Sequence, residues 1–363
     1  MTFRVSSSIT AFVGAMLVAM PLLAQSAAPA SKPVTKPDTS LIRFGEAAKP
    51  RTPGTIRVAT YNVLNYFDSE PATRPHSEGT AAPVKPEAER AAAAGALRAI
   101  DADIVALEEV ESLAAVKAFL TKYLSDMGYE HAVLIESEDP RGIDNAVISR
   151  FPITYSEAYG ERPLGGKQPA LEGNRPNPLA GNDMKFRRSP LRADIKVPGS
   201  AYGAAPDEAY ELTVIAVHHK SGRWSEYWRL AEAQGVLSII QEIESKNPSA
   251  NIVVLGDFNA QVTDAPIRAY LDAGLIDSFA ARATKWSPAI VSHESGRRID
   301  LILLNKNANE EFVADSPFVF GMPARPEGAD WRTTPPPEGY ASDHYPVVID
   351  LRPAKAAAAN PKK

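Results

Sequence analysis

The feature that most constrains this chain is a series of short apolar runs, rich in valine, isoleucine and leucine, that are separated by longer amphipathic segments. Runs of three to six such residues are typical of buried strands, because a buried helix needs a longer stretch. Residues 87–100 place apolar side chains at helical spacing, and so does the segment after Trp224. This alternation predicts a layered α/β domain with a mixed sheet arrangement. The predicted strands are residues 56–61, 104–107, 146–148, 212–217, 252–255, 299–304 and 347–351.

The chain contains no cysteine, which excludes disulfides, thiolate metal sites and cysteine nucleophiles. Any metal must therefore be held by oxygen or imidazole ligands, which favours Mg²⁺, Mn²⁺ or Ca²⁺. The 39 basic and 44 acidic residues give a net charge of −5. This balance argues against a strongly basic nucleic-acid-binding domain, although it allows a local basic patch.

The first 28 residues are typical of a secretory signal peptide, because Arg4 precedes an apolar run over residues 9–23 and small residues follow. We therefore expect an exported protein, periplasmic or secreted, without stable membrane insertion after signal cleavage. Residues 29–53 are rich in alanine, proline, lysine and serine, which predicts a disordered linker. Residues 54–352 form the predicted folded domain, and residues 353–363 a disordered tail.

One region interrupts the alternation of strands and helices. Residues 157–182 are dense in proline, glycine and asparagine, and loops of this length are uncommon unless they are functional or disordered. A basic cluster follows directly. It could track a phosphate backbone, or it could be the solvated start of a charged strand. Its members are Lys185, Arg187, Arg188 and Arg192.

Polar side chains follow several of the predicted strands, and ligands in open α/β folds gather at the carboxyl ends of strands. Asn62 ends the first strand, where it could be a turn residue or a ligand. Glu108 and Glu109 end the second, and only one of two adjacent side chains on a strand can face a shared site. The same alternation allows only one of His218 and His219 to enter the site.

Two further strand ends carry carboxylates. Gly256 permits a tight turn after the run 252–255, so that Asp257 and Asn259 project on the same side if the backbone stays extended; an Asx turn is the alternative. Asp300 lies within an otherwise apolar strand, and burying a carboxylate is costly unless the group has a partner. His344 is the natural partner, because a carboxylate can fix its tautomer and stabilise its charged form.

These polar strand ends form six motifs, whose order along the chain resembles that of the endonuclease/exonuclease/phosphatase superfamily. That superfamily includes pancreatic deoxyribonuclease, abasic-site endonucleases, sphingomyelinases and inositol-polyphosphate phosphatases. The resemblance covers about residues 56–351 and implies an α/β four-layer sandwich of two mixed β-sheets flanked by helices, with the site at one edge. The motifs are Asn62 in Tyr-Asn-Val, Leu-Glu-Glu at 107–109, His218 with Lys220-Ser221, Gly-Asp-Phe-Asn at 256–259, Arg-Ile-Asp at 298–300 and Ser-Asp-His at 342–344.

The resemblance also implies a role for each matching residue. Glu109 would be the principal metal ligand, with Asn62 and Asp343 in the same metal shell, and Mg²⁺ or Mn²⁺ is the expected ion, with Ca²⁺ as an alternative. In the catalytic set, Asp257 would orient or deprotonate the attacking water, and either it or His344 would be the base. The remaining catalytic residues are Asn259 and His218, which would hold phosphate oxygens, and Asp300, which would pair with His344.

The chain departs from the superfamily pattern at two positions. Many relatives carry an acidic residue where this chain has Leu64, so we expect one strongly held metal rather than two. Many relatives also have glutamine where this chain has Glu108.

The expected activity is hydrolysis of a phosphate ester, and three hypotheses about the substrate follow. The leading one is a nuclease that acts on DNA or RNA, because Asn-Val-Leu-Asn-Tyr-Phe at 62–67 is similar to secreted bacterial nucleases of this superfamily and a basic cluster is present. The second is a phosphatase, or a hydrolase of the phospholipase C and sphingomyelinase kind, with the same fold. The third is a binding protein on an inactive nuclease scaffold, which retention of the catalytic set disfavours.

Overall fold

A computed structural model of the chain describes Met1 and residues 39–68, 83–137, 139–330 and 333–354. The chain divides into two units, residues 1–36 and residues 37–363. The predicted signal peptide, residues 1–28, lies outside the described residues, and so does most of the predicted tail.

The described residues contain sixteen strands and five α-helices. Every strand that the apolar runs predicted is present, and the helix predicted at 87–100 has the same bounds. The helices are α1 (Glu87–Ile100), α2 (Leu113–Tyr123), α3 (Glu226–Lys246), α4 (Ala265–Asp272) and α5 (Lys306–Glu310). The strands are β1 (Ile56–Tyr66), β2 (Ile104–Val110), β3 (His131–Leu134), β4 (Asp144–Ser149), β5 (Ile153–Ala158), β6 (Pro163–Lys167), β7 (Leu171–Glu172), β8 (Arg175–Pro176), β9 (Asp183–Lys185), β10 (Leu191–Val197), β11 (Tyr210–His218), β12 (Asn251–Asp257), β13 (Ile276–Asp277), β14 (Asp300–Leu304), β15 (Phe318–Val319) and β16 (Val347–Leu351).

Two six-stranded sheets form the body of the domain, with strand orders β15-β16-β1-β2-β4-β3 and β13-β14-β12-β11-β10-β5. Each sheet has one parallel pair at its centre, β1 with β2 and β11 with β12, and its other pairings are antiparallel. The carboxyl ends of the two parallel pairs bring the polar strand ends together. The predicted fold, a sandwich of two mixed sheets flanked by helices, is confirmed.

The central strands of the second sheet are buried on both faces, which explains why they are continuously apolar rather than alternating. On β12, Val253 and Leu255 pack into the core between the sheets. Their neighbours Ile252 and Val254 pack on the opposite face, against apolar side chains of α3 and α4. A strand that lies between two apolar layers can carry a polar group only where it ends.

Residues 39–53, which the sequence analysis places in a linker, lie against the second half of the chain. Ile42 and Glu46 form bridges with Pro323 and Phe320. The Arg43 guanidinium donates a hydrogen bond to the Glu294 carbonyl at 2.8 Å. This part of the segment therefore differs from the disordered linker that its composition predicts, because backbone pairing and arginine contacts hold it.

The proline- and glycine-rich region, residues 157–182, also has more structure than its composition predicts. It contains the end of β5 and the strands β6, β7 and β8, which form two small antiparallel sheets together with β9. Among the residues that the structure describes, no helix combines the length and the apolar character that crossing a bilayer requires.

A buried ion pair joins β1 to β16 at the edge of the first sheet away from the polar strand ends. Arg57 and Asp350 are 2% and 1% exposed, and Arg57 Nε lies 2.7 Å from Asp350 Oδ1. We expect Asp350→Ala to lower the free energy of unfolding by about 3–5 kcal/mol, because it leaves a buried guanidinium without its counter-charge. Urea denaturation would measure this loss.

The matched control is Lys122→Ala, which removes an ion pair whose two side chains are 55% and 56% exposed. Its effect should stay within about 1 kcal/mol. Equal losses in the two variants would contradict the role assigned to the buried pair.

Candidate active site

A cleft of about 630 Å³ opens at the carboxyl ends of the two parallel strand pairs. The eight predicted site residues fall into two groups there. Glu109, His218, Asn259, Asp343 and His344 line the cleft, and Asp257 lies just behind it, 2% exposed. Asn62 and Asp300 are also buried behind the cleft wall.

Glu108 and Glu109 face different surroundings, as their alternation on the strand predicted. Glu108 is fully buried and accepts a hydrogen bond from Thr60 Oγ1 at 2.6 Å, and burial raises its pKa well above the usual range. Glu109 has a φ of +64° and turns its carboxylate into the cleft. Glu108 is therefore held away from the cleft surface and adds no ligand there.

The Glu109 carboxylate has two partners within the protein. Its Oε2 accepts a hydrogen bond from the backbone N–H of Asn65 at 2.9 Å. Arg141, on the connection between β3 and β4, approaches the same carboxylate with Nη2 at 3.0 Å and also contacts the Asn65 side chain. The sequence analysis missed Arg141, because nothing in its local pattern distinguishes it from a solvated loop arginine.

The Asp257 carboxylate is the most heavily contacted group of the site. Asn259 Nδ2 and Asn62 Nδ2 donate hydrogen bonds to its Oδ2 at 3.1 and 3.2 Å. The Nε2 atoms of His218 and His344 lie 3.4 and 3.8 Å from the same oxygen. Burial raises the pKa of Asp257 to about 6, although the charge of His344 acts in the opposite direction.

Asn259 holds this carboxylate from the turn after β12. Its backbone N–H donates to Asp257 Oδ1 at 2.8 Å, which is an Asx turn, and its amide also donates to the His219 carbonyl at 3.1 Å. The two alternatives that the sequence left open are thus combined: the turn forms, and both side chains still face the site region. The phosphate-binding role of Asn259 stays a prediction, since its amide hydrogens are used within the protein.

The two adjacent histidines separate as predicted. His218 lines the cleft, and burial lowers its pKa well below the usual value, so that its imidazole is neutral. His219 points away from the cleft, where its Nε2 lies 3.0 Å from Tyr270 Oη and burial lowers its pKa to about 3. Only His218 is placed for chemistry.

Asp300 and His344 form the buried pair that the sequence predicted. His344 Nδ1 lies 2.9 Å from Asp300 Oδ1, and Ser292 Oγ donates to Asp300 Oδ2 at 2.7 Å. Burial by itself would lower the pKa of His344, but Asp300 and Asp257 outweigh it and raise that pKa well above the usual value. His344 therefore carries a proton at neutral pH, and its Nε2 points toward Asp257.

His293 is a second residue that the sequence analysis missed. Its ring packs edge-on against that of His344, with centroids 4.5 Å apart, and its Nε2 lies 3.5 Å from Asp343 Oδ2. Its Nδ1 accepts the backbone N–H of Ser295 at 2.9 Å, which places the proton of a neutral ring on Nε2, facing Asp343. His293 lies in the irregular segment before β14, which has no periodic pattern from which this contact could be predicted.

The basic cluster does not assemble beside the cleft. Its side chains are held by acidic partners or by the protein interior, and none of the four is among the described residues that line the cleft. Lys185 pairs with Glu161, Arg187 and Arg188 lie 3.4 and 3.5 Å from Asp139, and Arg192 lies 2.6 Å from Asp194. The hypothesis that this cluster forms an open phosphate track is not supported by its contacts.

The comparisons with known proteins agree with this geometry. The sequence model of the Endonuclease/Exonuclease/phosphatase family matches residues 59–344. The chain belongs to this family. No curated protein sequence gives a significant match.

Solved structures show the same fold. The chain is similar to an endonuclease/exonuclease/phosphatase from Beutenbergia cavernae, at 22% identity and a TM-score of 0.52, over 82% of this chain and 71% of that one. It is also similar to the human nocturnin catalytic domain with bound sulfate anion, at 18% identity and a TM-score of 0.51, over 82% of this chain and 94% of that one. A family protein from Bacteroides thetaiotaomicron has 17% identity and a TM-score of 0.50, over 82% and 94% of the two chains.

Membership of the endonuclease/exonuclease/phosphatase family makes the chain a hydrolase of phosphate esters. Members of the superfamily are typically dependent on a divalent metal, and the residues of this cleft fit one. Glu109 and Asp343 both offer carboxylate oxygens to the cleft, and Asp343 Oδ1 is buried without a hydrogen-bond partner among the described residues. Among the described residues, two sets of potential ligand atoms each lie within 4.8 Å of one another. One set is His293, Asp343 and His344, and the other is Asp257, Asp300 and His344; Glu109 belongs to neither.

Asn62, the third predicted metal ligand, is placed differently. Its Nδ2 donates to Asp257, and its Oδ1 accepts the backbone N–H of Leu64 at 3.0 Å. In this arrangement both ends of the amide serve protein partners, and its place in a metal shell stays a prediction.

A buried glutamate beneath the site gives a pH dependence of stability. Glu232 is fully buried on α3 and accepts the backbone N–H groups of Arg187 and Lys220 at 2.9 and 2.7 Å. Burial raises its pKa to about 7, although both N–H groups act to lower it. The folded state therefore binds the proton more tightly than the unfolded state does.

We expect the contribution of Glu232 to stability to be complete below the unfolded pKa of about 4.5 and to be lost as the pH rises through about 7. The loss should be about 3 kcal/mol, from the difference between the two pKa values. In Glu232→Gln, the slope of unfolding free energy against pH should be shallower between pH 5 and 7. Urea denaturation at a series of pH values would measure both slopes. Equal slopes for wild type and variant across that range would contradict the prediction.

Proposed function

We propose that this hydrolase is an exported, divalent-metal-dependent phosphodiesterase that cleaves nucleic acid, DNA in the first place and RNA as the alternative. The observation that supports phosphate-ester hydrolysis at this site is the Asp257 carboxylate, which two histidines approach. His218 lies at the end of β11, and His344 lies just before β16. The nuclease part rests on the sequence similarity at residues 62–67. Export rests on the predicted signal peptide, residues 1–28, and the partner expected for this chain is the nucleic acid substrate itself.

The electrostatics of the cleft support a division of the proton-transfer roles. His344 carries a proton at neutral pH and is fixed by Asp300, so that it can donate toward a phosphate oxygen or leaving group rather than act as the base. Asp257, with its pKa raised to about 6, stays mainly ionised at neutral pH and is more basic than an exposed carboxylate. These two states favour Asp257 as the base that orients and deprotonates water.

The remaining residues bind and orient. His218 is neutral and faces the cleft, where an imidazole N–H can donate to a phosphate oxygen. Glu109 and Asp343 are the residues that would hold a divalent cation, with Mg²⁺ or Mn²⁺ suited to their oxygens. When bound, the cation supplies positive charge to the non-bridging phosphate oxygens. The loss of an acidic residue at Leu64 favours a single ion.

The first test is nicking of supercoiled plasmid by the purified mature protein, with Mg²⁺, Mn²⁺ or a chelator. Nicking should require the metal, and Asp257→Ala should lower its rate about 100-fold or more, because a positioned base is lost. Asp272→Ala, at an exposed carboxylate 68% accessible on α4, is the matched control and should behave as wild type. Nicking that persists in chelator would contradict the metal requirement.

A second candidate function is hydrolysis of a small phosphate ester, such as a nucleotide or sugar phosphate, or of a phospholipid head group. The observation that favours a small anion is the set of three arginines, Arg43, Arg141 and Arg325, around a cleft of about 630 Å³. A folded protein that leaves plasmid intact with either metal, yet releases phosphate from a monoester or a head group from phosphatidylcholine vesicles, would establish it.

The salt dependence of DNA cleavage separates the cleft from the basic cluster. We expect Arg141→Ala to reduce the slope of log(kcat/KM) against log[salt] by about 1, because it removes one phosphate contact. The double variant Lys185→Ala/Arg192→Ala should leave the slope unchanged, since Arg141 lines the cleft and neither of these two side chains does. If the double variant reduced the slope and Arg141→Ala did not, the basic cluster would be the DNA-binding surface.

A further inference from the structure

An exposed tryptophan stands on the loop that leaves the active site. This loop connects the end of β11 at His218 to the start of α3, and its residue Ser221 lines the cleft. Trp224 follows three residues later and is 56% exposed. Three residues of chain span at most about 11 Å, so the Cα of Trp224 lies within that distance of the Cα of Ser221.

The loop is fixed rather than loosely attached. Arg229, on α3, donates from Nη1 to the carbonyls of Lys220 and Gly222 at 3.0 and 2.8 Å. Ser225, which is buried, donates its Oγ–H to Glu172 on β7. The segment that carries Trp224 is therefore held from both sides, by α3 and by the β7–β8 hairpin.

The indole also has a flat support. A Cβ at Gly173, in the turn between β7 and β8, would lie 2.8 Å from the indole ring, so only a glycine lets the hairpin approach it this closely. Gly173 has a φ of +61°, which glycine adopts without strain. The exposed Arg223 guanidinium lies 5.0 Å from the ring centroid, a cation–π contact that adds positive charge beside the ring.

We propose that Trp224 is the stacking platform for a nucleobase next to the scissile phosphate and thus a specificity-determining residue of this enzyme. A half-exposed tryptophan that is already held on a rigid support loses little conformational entropy when it binds a ligand. Aromatic faces stack on bases of every sequence. The Arg223 guanidinium, which lies over the ring, supplies positive charge of the kind that a phosphate backbone requires. The inference rests on the proposed nuclease function and goes beyond it, because it names the part of the substrate that the rim contacts.

The test compares two single-stranded oligonucleotides with the same backbone, one of mixed base sequence and one in which every base is replaced by an abasic site. Wild type should prefer the first. In Trp224→Ala, kcat/KM should fall about tenfold on the base-bearing strand and stay unchanged on the abasic one. Trp286→Ala is the matched control, because Trp286 is 69% exposed and does not line the cleft; it should behave as wild type.

A binding measurement gives a second readout that does not depend on turnover. In the Asp257→Asn background, the base-bearing oligonucleotide should quench tryptophan fluorescence, and the further change Trp224→Ala should abolish the quenching. Gly173→Ala, which pushes the indole off its support, should reduce the preference for the base-bearing strand.

Several outcomes would overturn the inference while the nuclease function stands: cleavage by Trp224→Ala equal to wild type on both strands, equal losses on both, or the same loss in Trp286→Ala. Loss of activity on phosphatidylcholine vesicles, with oligonucleotide cleavage intact, would instead make Trp224 a lipid contact and overturn the nucleobase assignment. If the wild type neither nicks plasmid nor cleaves either oligonucleotide, it is the proposed nuclease function that fails, and this inference falls with it. If it nicks plasmid but cleaves neither oligonucleotide and shows no fluorescence quenching, only this inference fails.

Discussion

The structure of the site depends on the burial of one carboxylate. Asp257 is 2% exposed, and a charge taken out of water is tolerated only when donors surround it. Asn62 on β1 and Asn259 in the turn after β12 donate hydrogen bonds to it, and the imidazoles of His218 on β11 and His344 before β16 lie 3.4 and 3.8 Å away. Since β1 and β16 belong to one sheet and β11 and β12 to the other, the need to satisfy Asp257 fixes how the two sheets meet at this edge.

The same arrangement separates the protonation states of two histidines that approach one oxygen. Asp300 raises the pKa of His344 against the effect of burial, whereas burial is the chief cause that lowers the pKa of His218. A neutral and a charged imidazole on the two sides of a single carboxylate give distinct donors without any change in residue type. The surroundings of each ring, rather than its residue type, thus set its protonation state.

The backbone shows where this geometry is costly. Among the described residues, five that are not glycine have positive φ, and four of them, Leu64, Asn65, Glu109 and Asn259, lie at the strand ends around the cleft. Such conformations persist only where surrounding contacts hold them. Here the Glu109 carboxylate accepts the Asn65 N–H, and Asp257 accepts the Asn259 N–H, so the strained turns and the functional carboxylates stabilise each other.

The sequence by itself determined seven of the sixteen described strands, the order of the polar strand ends and the Asp300–His344 pair. It could do so because strands buried on both faces must be continuously apolar, and because a buried carboxylate at the end of such a strand needs a partner. Only the tertiary structure decided which arginine and histidine side chains outside the motifs reach the cleft. Arg141, Arg43 and His293 lie on irregular segments, where no periodicity marks a direction, and their contacts span loops far apart in the chain. The sequence also could not show that the basic cluster has the acidic partners Glu161, Asp139 and Asp194. Net charge can be summed from the sequence, but the pairing of charges depends on their distance in space.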